Sequence, residues 1–121
     1  KKSVILQFTP HLLPVDRGIL ATSYIAIDTE MDQDKLTSLY KDFYKKKPFV
    51  RLRNQAPSIK EVRGSNYADI YPFWDQRTGK AIVIAAIDNL VKVAAGQAVH
   101  NMNIMLGLNE SIGLLHVPMQ P

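Results

Sequence analysis

Residues Ala81 to Gly107, AIVIAAIDNLVKVAAGQAVHNMNIMLG, decide how the chain folds. The unbroken apolar run Ala81–Ile87 sits between Gly79-Lys80 and Asp88-Asn89, the pattern of a strand covered on both faces and central to a sheet. Beyond it Val91, Ala94, Ala95, Ala98, Val99, Met102, Met105 and Leu106 recur at three- and four-residue spacing. That spacing predicts a helix whose broad apolar stripe packs on the sheet and which Gly107 stops. Two starts fit: Asp88 capping a helix from Asn89, or a turn over Asp88–Val93 leading into a helix that begins near Ala94. Val93, Gln97, His100 and Ile104 align on the other side, so that face calls for a second partner. Ala94 to Ala98 has almost no side-chain bulk, and a mid-helix glycine costs about 1 kcal/mol relative to alanine. Gly96 therefore implies close approach of a backbone or ligand, or else ordinary helix-on-sheet packing.

Upstream, Val4–Phe8 and Ile19–Ile27 are rich in strand formers and flank a loop stiffened by Pro10 and Pro14. In the second of these strands Ile19, Ala21, Ser23, Ile25 and Ile27 share one face. The loop Thr9–Gly18 carries His11, Asp16 and Arg17, and stiff loops often hold ligands. From Met31 a helix is expected with Asp32 as its N-cap and Leu36, Leu39, Tyr40, Phe43 and Tyr44 as its apolar stripe. Lys45-Lys46-Lys47 and Pro48 close it. Phe49–Leu52 reads as a short strand, Asn54–Ser58 as a turn, and Tyr67–Trp74 as a strand joined to the central one by a hairpin loop over Asp75–Gly79. Gly64-Ser65-Asn66 offers tight backbone geometry with hydroxyl and amide groups, either a plain turn or a site wall. Adjacent strands with few helices imply an α+β domain: a mixed, mostly antiparallel sheet with helices packed on one face.

At 121 residues the chain is one domain, too short for a nucleotide-binding domain and a substrate domain together. An apolar fraction of 46% and a charged fraction of 21% are those of a globular protein, and no apolar run approaches the roughly 18 residues of a membrane span. The chain has no cysteine and hence no disulfide. His11, His100 and His116 share no spacing that makes a metal-ligand set. The net charge is +4, and the densest basic region is Lys45–Lys47 followed by Arg51 and Arg53. Cations are favoured at a helix end and no aromatic-basic motif accompanies them, so a solvated face outweighs a nucleic-acid site. Opening on Lys1-Lys2 and running straight into an apolar segment, the chain is expected to begin mid-protein, with the cytoplasm as its default location.

Three separated blocks, FTPHLLPVDRGIL (Phe8–Leu20), VRGSNY (Val62–Tyr67) and IDNLVK followed by AAGQAVHNMNIMLGL, resemble N-acetyl-gamma-glutamyl-phosphate reductase, an NADP-dependent family of arginine biosynthesis related to aspartate-semialdehyde dehydrogenase. The blocks occur in the family's order and run almost from end to end. Departures are Val93, where the family usually has Gly, and His100, where it usually has Gln.

The resemblance implies a semialdehyde dehydrogenase dimerisation-like fold and a C-terminal segment whose sheet forms a homo-oligomer, dimer or tetramer. It places residues 88–121 against a nucleotide-binding domain. The family's cysteine nucleophile and histidine base are expected upstream of residue 1, so no catalytic residue is assigned here and the segment alone is expected to be inactive. The Gly-rich nucleotide loop is absent from this sequence as well. Arg17 is the candidate for an anionic end of an acyl phosphate substrate, since a guanidinium forks onto carboxylate or phosphate; the competing reading is an ion pair with Asp16 or another carboxylate. His11, Ser65 and Asn66 are further substrate-binding candidates, His11 more weakly because the family does not require histidine there. Gln97 matches a residue expected near the nicotinamide carboxamide of NADP, with Asn89, the second cofactor-binding candidate, and the small residues after it shaping the approach. Two alternatives stay open: a non-catalytic dimerisation or interaction module, and the acetyl-aminoadipate phosphate reductase of lysine biosynthesis.

Overall fold

A computed structural model describes residues 4–119. The elements are β1 (Ile19–Ala26), α1 (Gln33–Tyr44), β2 (Val50–Leu52), a 3-10 turn (Ile59–Glu61), β3 (Ala68–Asp75), β4 (Lys80–Ile87), a π-helical turn (Val91–Ala95) and α2 (Gly96–Met105). The apolar run becomes the interior of the sheet, whose order is β1-β4-β3-β2. β4 pairs antiparallel with β1 and β3, while β2 pairs parallel with β3. This is the expected α+β architecture with a mixed, mostly antiparallel sheet. Asp75 closes the β3–β4 hairpin by accepting from the amides of Thr78 and Gly79, the latter at φ 63°, where only glycine is unstrained.

The N-cap of α1 is Asp32, whose side chain accepts from the Lys35 amide at 2.7 Å. The helix packs against β3 and β2. Its first residue repairs the sheet. β2 pairs only with Ala68–Ile70, leaving the edge of β3 bare beyond it, and there Gln33 donates to the Pro72 carbonyl at 3.0 Å while accepting from the Trp74 amide at 2.8 Å. A side-chain amide thus stands in for a missing strand, meeting backbone groups that are costly to leave unpaired. The stripe expected on α1 is narrower than its spacing suggested: Leu36 is buried and Tyr40 and Tyr44 are half-buried, but Leu39 and Phe43 are exposed.

Other expectations need correction. Val4–Phe8 forms no strand; Val4, Ile5, Leu6 and Phe8 are largely exposed, because no neighbour among the described residues offers them a ladder. β4 is central but not covered on both faces. Only Ala81 and Ala86 are fully buried in it, and every residue of β1 is exposed.

The largest correction concerns α2. Most of its anticipated stripe points outward: Ala94, Ala95, Ala98, Met102, Met105 and Leu106 are exposed, Val91 and Val99 are half-buried, and the buried residues are Gly96 and Asn103. The inner side can be polar because the following loop supplies partners, as buried polar groups require. Asn103 Nδ2 donates to the carbonyls of Glu110 at 3.2 Å and Ile112 at 3.0 Å, and His100 Nε2 lies 2.8 Å from the Glu110 carboxylate. The helix seats at the end of the sheet, with the His100 ring edge-on to buried Phe49 at 5.0 Å. No helix among the described residues is long and apolar enough to cross a membrane.

Candidate functional site

Where β4 ends, the chain places Asp88, a fully buried carboxylate. Its Oδ2 accepts from the Arg17 Nε at 2.7 Å and the Gly64 amide at 2.6 Å, with Arg17 Nη2 also at 2.7 Å. Its Oδ1 accepts from the amides of Leu90 at 2.8 Å and Val91 at 2.7 Å. Burial works to raise the pKa of this group. The donors of Gly64, Val91, Leu90 and Arg17 outweigh it and hold the carboxyl below the usual carboxylate range. Next to it, Asn89 Oδ1 accepts from the Gly18 amide at 2.7 Å. The Thr9–Gly18 loop, the Gly64–Asn66 turn and the start of the π-helical turn therefore meet on adjacent side chains.

The entry into the last helix combines features of both expected starts. Asp88 caps as one of them required, but the first turn is wide: Val93 N bonds to the Asp88 carbonyl and Ala95 N to that of Leu90, an i→i+5 pattern found mostly as single turns and frequently at functional sites. Gly96 lies in the tightest spot. A Cβ there would stand 2.5 Å from Asn66 Oδ1 and 2.8 Å from the Val91 carbonyl oxygen, so the close approach implied by the small-residue run comes from this chain itself.

The six candidate residues separate. Arg17 and Asn89 come together at Asp88, and Gln97 lies about two turns further along the helix. Arg17 turns its fork to Asp88, the ion-pair reading with a partner other than Asp16, which instead lies 3.4 Å from Arg63. Ser65 is buried, donating to the Val62 carbonyl at 2.7 Å and accepting from the Tyr67 amide at 3.3 Å, so it holds the turn. Asn66 is buried with neither amide atom hydrogen-bonded among the described residues. His11 is exposed in its loop, away from this cluster's hydrogen bonds.

Gln97 and Asn89 share a property. Gln97 Oε1 accepts from Lys92 Nζ at 3.1 Å and its Nε2 donates to Asn101 at 2.9 Å. Because an ammonium and a backbone amide can only donate, both side-chain amides have their oxygen tied off inside the chain and offer N–H groups. Lys92 was not singled out by its sequence context. It lies 5.6 Å from the Phe49 ring centroid; burial pushes its ammonium below the ordinary lysine range, and Glu110 opposes that shift.

A second charged cluster corrects the reading of the basic region. Arg51 grips buried Asp69 through Nε at 2.6 Å and Nη2 at 3.0 Å, and Arg53 pairs with Glu61 at 2.5 Å. These two arginines belong to an internal ion-pair network and not to a solvated face. Their sequence signal was obscured because their acidic partners lie on other elements. Among the described residues no group of three or more His, Cys, Asp and Glu side chains could hold a metal ion.

Residues 1–89 match a family described as the semialdehyde dehydrogenase dimerisation domain. The N-acetyl-gamma-glutamyl-phosphate reductase of Desulfotalea psychrophila is 53% identical over 118 residues, covering 96% of this chain and 34% of its own length. That of Staphylococcus saprophyticus is 48% identical over 123 residues, covering 100% and 36%. That of Symbiobacterium thermophilum is 49% identical over 123 residues, covering 99% and 35%. The chain thus spans about a third of the length of these relatives.

Proposed function

We propose, from the premise that this chain belongs to the semialdehyde dehydrogenase dimerisation-domain family, that it is the substrate-binding and dimerisation part of an NADP-dependent N-acetyl-gamma-glutamyl-phosphate reductase in the cytoplasm. The reading is carried by the convergence at Asp88: Arg17, Gly64 and Asp88 itself come from the three separated sequence blocks that resemble the family, and they meet on one carboxylate. Residues of distant blocks gathered at one buried charge are what a shared site requires.

In this reading the reaction converts an acyl phosphate to an aldehyde, with the nucleophile and base supplied from outside residues 1–121. NADPH supplies the hydride. Its nicotinamide carboxamide fits the chain's donor set, since Asn89 and Gln97 both present N–H groups to an acceptor oxygen, and exposed Leu90, Val93 and Ala94 give an apolar surface beside them. Asp88 and Arg17 act one layer back, fixing the Thr9–Gly18 loop and the Gly64–Asn66 turn against the helix start. Asn66, fully buried with neither amide atom hydrogen-bonded among the described residues, stays a substrate candidate beside Ser65 and His11. The outward stripe of α2 meets the nucleotide-binding domain, and the exposed sheet at β1 meets a second copy, as its uncovered apolar residues favour.

The test uses the intact protein that contains this chain, assayed for phosphate-dependent NADP reduction with N-acetylglutamate semialdehyde. Turnover is expected from the intact protein and none from the purified 121-residue segment. Activity only with the acetyl-aminoadipate semialdehyde selects the lysine-pathway alternative, and activity with neither selects a non-catalytic module.

A further inference from the structure

We propose that Lys92 is a positioning residue that sets the direction of the Gln97 amide, so that Gln97 donates an N–H to the carboxamide oxygen of the nicotinamide. The inference rests on the reading of Gln97 as a cofactor contact and adds to it the residue that controls it and the polarity of the bond.

On a regular α-helix, residues five apart point about 140° away from one another, so Lys92 and Gln97 could not touch. The i→i+5 hydrogen bonds over Asp88–Ala95 unwind the helix just enough to bring them onto one side, and Lys92 Nζ reaches Gln97 Oε1 at 3.1 Å. The wide turn also sets Gly96 close over buried Asn66, where a Cβ would stand 2.5 Å from Asn66 Oδ1.

The contact has a direction. A primary amide can turn either its oxygen or its nitrogen to a ligand, and the two orientations differ little in shape. An ammonium has only donors, so the Lys92 side takes the oxygen and the nitrogen turns away from it, one N–H to Asn101 and the other without a partner among the described residues. Lys92 is half-buried with its ammonium 5.6 Å from the Phe49 ring centroid, and partial loss of water makes a protein acceptor more valuable to it. Asn89 is set the same way by a different donor, the Gly18 amide. Both amides then present donors to the same kind of group, a carbonyl oxygen.

The experiment measures NADPH binding by fluorescence in the intact protein without acyl substrate, alongside thermal melting to establish folding. Gln97→Ala and Lys92→Met are each expected to weaken binding about tenfold, the double variant no more than either single one, and Lys92→Arg, which also donates to Oε1, to bind nearly as the parent does. With the 3-acetylpyridine analogue, which keeps the carbonyl oxygen and lacks the NH2 group, the Gln97→Ala loss is expected to persist. Additive losses in the double variant, an unaffected Lys92→Met, or a Gln97→Ala loss that vanishes with the analogue overturns the role of Lys92 while leaving Gln97 a contact. A Gln97→Ala variant that binds NADPH normally overturns the Gln97 reading itself, and the inference with it.

Discussion

Arg17 and Asp88 lie 71 residues apart in sequence and 2.7 Å apart in space, and the Asp88 oxygen that Arg17 holds is also the one that takes the Gly64 amide. One buried carboxylate therefore links the N-terminal loop, the mid-chain turn and the start of the last helix, and its charge is the means of linkage.

Asp88→Asn keeps the shape and removes the charge. The new NH2 must face either the Arg17–Gly64 donors or the Leu90–Val91 donors, and a donor against a donor leaves both unpaired. Breaking a buried ion pair in this way costs about 3–5 kcal/mol. The folded carboxyl titrates below its ordinary value, so its stabilisation is fully present above the unfolded value near about 3.9 and is lost as pH falls through the folded one. Thermal melts should show a wide gap between parent and variant at neutral pH that narrows below about pH 4. A gap that stays constant down to pH 3 contradicts the assignment.

Arg17→Lys retains the charge but cannot bring Nε and Nη2 to the same oxygen. The expected effect is on the fold: a melting temperature lower by several degrees, for a loss of about 1–2 kcal/mol, and faster proteolysis of the Thr9–Gly18 loop. A variant that melts like the parent yet shows a raised KM for the acyl substrate returns the guanidinium to the substrate site.

Gly96→Ala sets two effects against each other. Alanine favours the helix by about 1 kcal/mol, but its methyl group meets Asn66 Oδ1 and the Val91 carbonyl at sub-contact distance, and overpacking of this kind costs about 1–3 kcal/mol. Because one of the obstructing atoms is backbone, the second effect wins and the variant should be less stable in denaturant titration. A more stable variant means the wide turn relaxes to regular helix at no cost.

Tyr24 is 69% exposed on β1 and shares its face with Leu20. Tyr24→Lys should shift the protein toward smaller species in sedimentation equilibrium with its circular dichroism unchanged, since the strand's pairing with β4 is made by backbone. An unchanged association constant moves the interface away from this face of the sheet.

Sequence by itself determined the strands from β1 to β4, the Asp32 cap, the glycine turns and the polar character of the Gly64–Asn66 segment, because backbone preference and two-residue alternation are local properties. It also determined that the segment after Asp88 is helical with one apolar face. Only the tertiary structure decided which way that face points. Periodicity shows that Met102, Met105 and Leu106 want cover but not what covers them, and the pull that turned His100 and Asn103 inward comes from Glu110 and the carbonyls beside it. The partners of Arg17, Arg51 and Lys92 were hidden for the same reason, since an ion pair or charge-assisted hydrogen bond is set by distance in space. A regular helical repeat even separates Lys92 from Gln97, and their contact exists because the chain adopts a wide turn there, anchored by a carboxylate that also answers to Arg17 and Gly64.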